Sequence, residues 1–301
     1  MIPIELNIFF MTIYMLESLI IIVQSSLIIV VLGREWVQFK RLSPVDIIII
    51  SLGICHFCLQ WASILFDFCS FFDLNYILWC FSVTWEFTNT LIFWLTSLLA
   101  VFYCAKVSSF THPKFLWLKW RILRLIPQLV LGSLMICCVS MIPSIFKNYF
   151  RVLLITMDYA PTNDTMIERL KVFPWNFFKF HQLVVLFIPF ILFLASIVSL
   201  MTSLKQHSEQ MRHYNAGHCN SNMRAHSTAL KSLIIFVIFF TSYFLSVVIA
   251  LSFSLFDKRP WFWIWEDVIY ALVSIRSTLL MLSSPTVRKN LKVKCKVLET
   301  T

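Results

Sequence analysis

Seven stretches of this chain are each long and apolar enough to cross a lipid bilayer, and that pattern restricts its fold more than any other feature. They cover residues 8–32, 45–67, 77–103, 125–146, 181–204, 232–256 and 262–284. A spanning helix needs about 20 mostly apolar residues to cross ~30 Å of hydrocarbon. Open sheets are excluded at that depth because unpaired backbone groups would face lipid, and runs this long are not barrel strands. The expected fold is therefore all-α, one domain built as a seven-transmembrane helix bundle over residues 1–301, with a tail at 285–301. The first run, 25 residues from Ile8 to Leu32, exceeds the ~7–15 apolar residues of a cleaved leader and is read as a retained helix.

Composition agrees with lipid as the solvent. Hydrophobic residues make up 59% and charged residues 13%, against roughly 25% charged in ordinary globular domains. A soluble fold of this size lacks the interior volume to hide that much apolar surface. The net charge of +10 does not indicate nucleic acid, because its lysines and arginines cluster in short segments between apolar runs. Connections 33–44, 104–124 and 205–231 and the tail 285–301 hold 17 of them, and the opposite set, 1–7, 68–76, 147–180 and 257–261, holds 7. Basic connections stay in the cytosol beside anionic lipid. This predicts a multi-pass plasma-membrane protein with its N-terminus extracellular and its C-terminus cytoplasmic. The sequon Asn163-Asp164-Thr165 falls on the predicted outer side, so Asn163 is a candidate glycosylation site. With about seven residues ahead of the first span, a small ligand that enters the bundle is expected rather than a captured protein.

Enzyme chemistry finds no support. Nucleophile-elbow, phosphate-loop and zinc-protease motifs are missing, and no cofactor or metal is expected. Cys55-His56-Phe57-Cys58 stands alone in the second span. His207, His213, His218, Cys219 and His226 match no metal-site spacing and read as a solvated loop. The nine cysteines form no disulfide framework. Cys69 and Cys80 flank an outer loop without any requirement that they pair. The tail cations Arg288, Lys289, Lys292, Lys294 and Lys296 suit either a basic helix at the inner leaflet, with Cys295 a lipidation candidate, or a plain solvated tail.

Ionisable residues inside the spans carry more information, since each costs about 2.5–3.5 kcal/mol at mid-membrane on insertion scales. They are Glu17, His56, Glu86, Glu266, Asp267 and Arg276. Glu86, Asn89 and Phe93 follow i, i+3, i+7 spacing and share one helix face, with Trp85 at its edge. Such a face suits a ligand bearing hydroxyls on an apolar or aromatic body, and it equally suits an interhelical polar clamp. Trp261, Trp263 and Trp265 read as interfacial anchors, with Trp261 the best candidate for a further ligand contact. A competing class is a small transporter or channel with a polar path through Glu86, Glu266 and Arg276, although no inverted repeat accompanies it.

The connections then resemble a known family. Phe102-Tyr103-Cys104-Ala105-Lys106-Val107-Ser108-Ser109-Phe110, Thr111-His112-Pro113 and Phe115-Leu116-Trp117-Leu118-Lys119-Trp120-Arg121-Ile122 are similar to the type 2 bitter taste receptors at the same junction. So are Ile188-Pro189-Phe190 with Ser203-Leu204 and His207, Ala225-His226-Ser227-Thr228-Ala229-Leu230-Lys231, and Ser283-Ser284-Pro285-Thr286. The opening Met1-Ile2-Pro3-Ile4 and the Trp85-Glu86 pair resemble the branch associated with β-glucopyranoside bitter compounds. Shared absences point the same way: an Asp-Arg-Tyr triplet after helix 3 and an Asn-Pro-x-x-Tyr motif in helix 7 are both missing. The resemblance implies a G-protein-coupled receptor that binds small bitter agonists and activates a gustducin-like G protein, with receptor oligomers compatible. It implies a ligand between helices 3, 5, 6 and 7. Glu86 and Asn89 would bond its hydroxyls, while Trp85, Phe93, Phe240 and Trp261 would pack its apolar body. His181 would stand at the outer end of helix 5. One departure matters: the family commonly has an arginine at position 56 and a histidine at 276, where this chain has His56 and Arg276. The two spans are expected to keep one strong cation between them by exchange.

Overall fold

The computed structural model describes residues 4–40, 42–72, 75–107, 113–157, 164–214, 220–253, 262–284, 287 and 290. They form seven helices: α1 Ile4–Phe39, α2 Pro44–Phe71, α3 Asn75–Val107, α4 Pro113–Met157, α5 Asp164–Tyr214, α6 Asn220–Phe253 and α7 Phe262–Ser283. All seven expected spans lie within these helices apart from the last residues of the sixth and the final residue of the seventh. Several helices continue well past the expected ends. α4 runs 45 residues and α5 runs 51, about 77 Å for α5 at 1.5 Å per residue and far more than the bilayer requires. Much of what was expected as connection, 113–124, 147–157, 164–180 and 205–214, is thus helical. These segments are rich in Leu, Lys, Arg, Glu, Gln and Met, all good helix formers, so the turns do not melt on leaving the apolar zone.

Local signals account for the helix ends. Ser43 caps α2: its hydroxyl accepts the Asp46 amide at 3.2 Å and donates to the Asp46 carboxylate at 2.7 Å, and Pro44 occupies the first turn, where its missing N–H costs nothing. The other oxygen of Asp46 accepts from Ser284 at 2.9 Å. One buried carboxylate therefore ties the start of α2 to the end of α7. α1 stops at Lys40, in the left-handed region at φ 50°, with its amide bonded to Trp36 O, a tight closing turn.

α3 is the axis of the bundle. Of its most apolar stretch 67% is buried inside the protein, against 28% in α1 and in α4. It packs on α2, α4 and α5, while α1 packs on α2 and α7, and α6 bridges α5 and α7. Lipid cannot drive helices together as water does, so close backbone approach and interhelical hydrogen bonds do that work. Gly53 supplies one approach, since a Cβ there would meet Ile28 Cγ2 at 3.0 Å. The bonds include Gln60 to Ser18 at 2.6 Å, Gln24 to Thr278 at 2.8 Å, Ser63 with Tyr270, and the Ser97 hydroxyl on the carbonyl of Pro189. Outward, α4 presents Leu131, Met135, Val139, Ile142 and Phe146, all exposed. That stripe would be an aggregation surface in water and is a lipid surface in a membrane. Among the described residues, α1 to α5 each satisfy the length and hydropathy of a spanning helix, and α6 adds the shorter apolar run Leu233–Ile249. α7 carries Glu266, Asp267 and Arg276 within 22 residues, which lipid tolerates only when they turn toward neighbours or water.

Candidate functional site

The face read from the sequence on α3 is buried, and the structure divides it among different neighbours. Asn89 and Phe93 face α6. The Tyr243 hydroxyl donates to Asn89 Oδ1 at 2.5 Å, and the Phe93 ring stacks on Tyr243 with centroids 5.5 Å apart and meets Phe240 at 5.2 Å. Phe193 closes on Phe240 at 4.3 Å, and Phe190 lies flat on Phe244 at 3.9 Å. Phe93 and Phe240, expected as ligand contacts, are both 0% exposed. They form a closed aromatic floor spanning α3, α5 and α6, and entry of any molecule between its rings requires them to part.

Glu86 turns elsewhere. Its Oε1 is ion-paired with Lys147, the last residue of the α4 span Leu125–Lys147. This answers the solvation problem of a carboxylate on the most buried helix, because an unpaired buried charge is far costlier than a paired one. Its second oxygen, Oε2, is buried without a donor among the described residues. Trp85, one residue away, packs against the cluster of α1, α2, α3 and α4 side chains, a different cluster from the one that holds Phe93. His181 is half-buried, and on α5 the next residue, Gln182, faces inward at 8% exposed. Trp261 and Asn163 lie outside the described residues, as do the side chains of Glu266 and Arg276; His56 is buried on α2. Cys69 and Cys80 are both free thiols, the first buried and the second exposed.

A further test follows from the α3–α6 bond. Tyr243→Phe leaves Asn89 Oδ1 buried with its donor removed, which costs about 1–3 kcal/mol. The purified protein should lose several degrees of melting temperature with its fold intact. An unchanged melting temperature would mean that this bond contributes nothing.

A family model described as taste receptor protein (TAS2R) matches residues 1–299. Taste receptor type 2 member 16 of Homo sapiens is 59% identical over 295 residues, covering 98% of this chain and all of the relative. The protein of the same name from Mus musculus is 51% identical over 293 residues, 97% of each chain. Taste receptor type 2 member 134 of Rattus norvegicus is 40% identical over 285 residues, 95% of this chain and 85% of the relative. The chain belongs to the TAS2R taste receptor family. It is a multi-pass membrane receptor with the seven-helix G-protein-coupled fold, and it is not an enzyme.

Sequence reasoning missed two members of this receptor's buried polar set. Lys147 and Lys179 count as outer-loop cations when spans are drawn by hydropathy, yet Lys147 reaches inward to Glu86, and the Lys179 ammonium is buried without a partner among the described residues. It also missed Tyr243. The spacing Phe236, Phe240, Tyr243, Phe244, Val247 marks one α6 face and was available as a signal.

Proposed function

We propose that this taste receptor is a bitter receptor taking small β-glucosides between α3, α5, α6 and α7, and that it activates a gustducin-like G protein from its cytoplasmic face. One observation carries the ligand class: Glu86 Oε2, a buried acceptor without a donor among the described residues, beside Asn89 and above an aromatic floor. A sugar hydroxyl supplies the missing donor, and an aryl or alkyl aglycone suits the rings. The similarity to Taste receptor type 2 member 16 supports the same class. Asn89 Oδ1 is held by Tyr243, so its amide nitrogen is the group left to serve a ligand oxygen. Trp85, His181 and Trp261 complete the expected set. Orientation rests on the 17-to-7 cation asymmetry, with the N-terminus outside and Asn163 glycosylated.

An agonist shifts a receptor only by binding one state better than the other. The Phe93–Tyr243 stack joins α3 to α6, and a ligand that favours its rearrangement would bias α6 and open the basic inner face. The test is calcium release in cells that carry a taste G protein and are challenged with phenyl β-D-glucopyranoside. Trp85→Ala and Asn89→Ala, at normal surface expression, should each raise the half-maximal concentration at least about tenfold, the worth of 1.4 kcal/mol. Unchanged curves for both defeat the pocket. The transporter alternative has no remaining support, because the family is one of receptors and Glu86 is neutralised by Lys147.

The exchange at His56 and Arg276 gives a second test. His56→Arg alone places two guanidinium groups between α2 and α7 and should impair signalling, and adding Arg276→His should restore it. A double variant no better than either single change removes the inferred contact.

A further inference from the structure

Two helix starts meet at one carboxylate. Ser43-Pro44 opens α2, and Ser284-Pro285 follows α7. The Ser43 hydroxyl accepts the amide of Asp46 at 3.2 Å, and the Ser284 hydroxyl accepts the amide of Val287 at 3.3 Å. Both are the bond from a capping side chain to the amide three residues on. Val287 and Asn290 are helical, so Ser284 closes α7 and caps the turn beyond it. Both hydroxyls also donate to Asp46, Ser43 to Oδ2 at 2.7 Å and Ser284 to Oδ1 at 2.9 Å. One negative charge thus serves two N-termini, whose unpaired amides attract it. The junction is covered. Asp46 is 4% exposed, Ser284 and Val287 are 0%, and Val287 belongs to the apolar cluster that holds Leu32, Val45 and Phe102.

We propose that the Asp46–Ser284 bond is an autoinhibitory latch, which holds the inner end of α7 and the start of the tail against α2 in the resting receptor and breaks on activation. The same end of the bundle is packed shut. Cys104 on α3 and Leu200 and Leu204 on α5 are buried, and Leu233 of α6 packs on the cluster that contains Cys104 and Leu200. Elsewhere α7 packs mainly on α1 and α6. Toward its other end Tyr270 is held by Ser63 of α2, a fixed point about which the inner end of α7 can swing. The latch opens without undoing α2, because Ser43 keeps both of its bonds to Asp46. Asp46 lies in the first turn of α2 beside the exposed Ser43, so water replaces the Ser284 hydroxyl once the α7 end lifts, and the carboxylate is not left unsolvated. The latch rests on the proposed coupling through the basic face, and it requires no particular agonist.

The test reads signalling without agonist, in cells that carry a taste G protein, at matched surface receptor. Ser284→Ala removes a charge-assisted bond from the resting state alone, so agonist-free signal should rise about tenfold over the parent. The half-maximal concentration of phenyl β-D-glucopyranoside should fall with it, because more of the receptor already stands in the competent state. Ser43→Ala is the control. It takes the cap from α2 and leaves Ser284 on Oδ1, so it should lower the melting temperature without raising agonist-free signal. Should Ser284→Ala fail to reach the surface, Asp46→Asn weakens the same bond with a neutral group of the same shape, and it should raise agonist-free signal too. A raised Ser284→Ala baseline in a receptor indifferent to the glucoside defeats the sugar reading alone. A glucoside response with an unraised baseline, or an equal rise in Ser43→Ala, overturns the latch.

Discussion

Glu86→Ala should destabilise this receptor by about 3–5 kcal/mol, the cost of removing one partner of a buried ion pair and leaving the other uncompensated. The change would leave Lys147, its side chain 16% exposed, without the carboxylate that it pairs with. In cells the result reads as lost surface receptor, and in purified protein as a large fall in melting temperature. Glu86→Ala combined with Lys147→Ala should recover most of the loss, because both charges leave together. The coupling from that double-mutant cycle is expected to exceed the roughly 0.5 kcal/mol within which distant sites add. Two single variants whose effects simply sum would show the pair to be energetically idle. The consequence for pharmacology is direct. A silent Glu86→Ala receptor says nothing about ligand contact unless its Lys147 partner is removed as well.

That pairing shows where the sequence was legible and where it was not. The seven apolar runs were readable because burial in lipid demands long uninterrupted stretches, a constraint written along the chain. The shared face of Glu86, Asn89 and Phe93 was readable for a similar reason: spacing within one helix is set by 3.6 residues per turn. Which neighbour each residue meets is a matter of helix rotation and tilt, set by packing between segments distant in sequence. Both readings of Glu86, ligand contact and interhelical clamp, were open, and the structure gives it a clamp through Oε1, with Oε2 lacking a donor among the described residues. Trp85 was read at the edge of that face, one ~100° step around the helix from Glu86, and its ring packs in a different cluster from Phe93. Lys147 and Lys179 were hidden because a cation at the edge of an apolar run reads as loop whichever way its long side chain bends. The long extensions of α4 and α5 were hidden for a related reason. Hydropathy marks where lipid ends, and a helix of good formers need not end there.

The aromatic floor makes the other large prediction. Phe93→Ala should leave a cavity of about 100 Å³ between α3 and α6, worth about 2.4 kcal/mol at the measured cost of residual cavity volume. The lost-transfer part of the usual Phe→Ala penalty shrinks in a membrane, where the unpacked ring would meet lipid rather than water, so most of the effect should be lost packing. Phe93 is 0% exposed and touches Phe240, Tyr243 and Phe244, and rings locked on three sides cannot collapse inward without moving a helix. This gives the variant a second signature. An apolar cavity of that size stays dry and accepts a benzene-sized guest, so benzene should raise the melting temperature of purified Phe93→Ala receptor and leave the parent unchanged. A variant that melts like its parent, or one that is destabilised but indifferent to benzene, would mean that the rings close the gap themselves. The floor would then be a soft boundary, and a ligand resting on it could part the rings at little cost. Rescue by benzene instead makes the floor rigid and the motion of α6 relative to α3 costly, so an agonist must supply that free energy through its differential contacts with the two states.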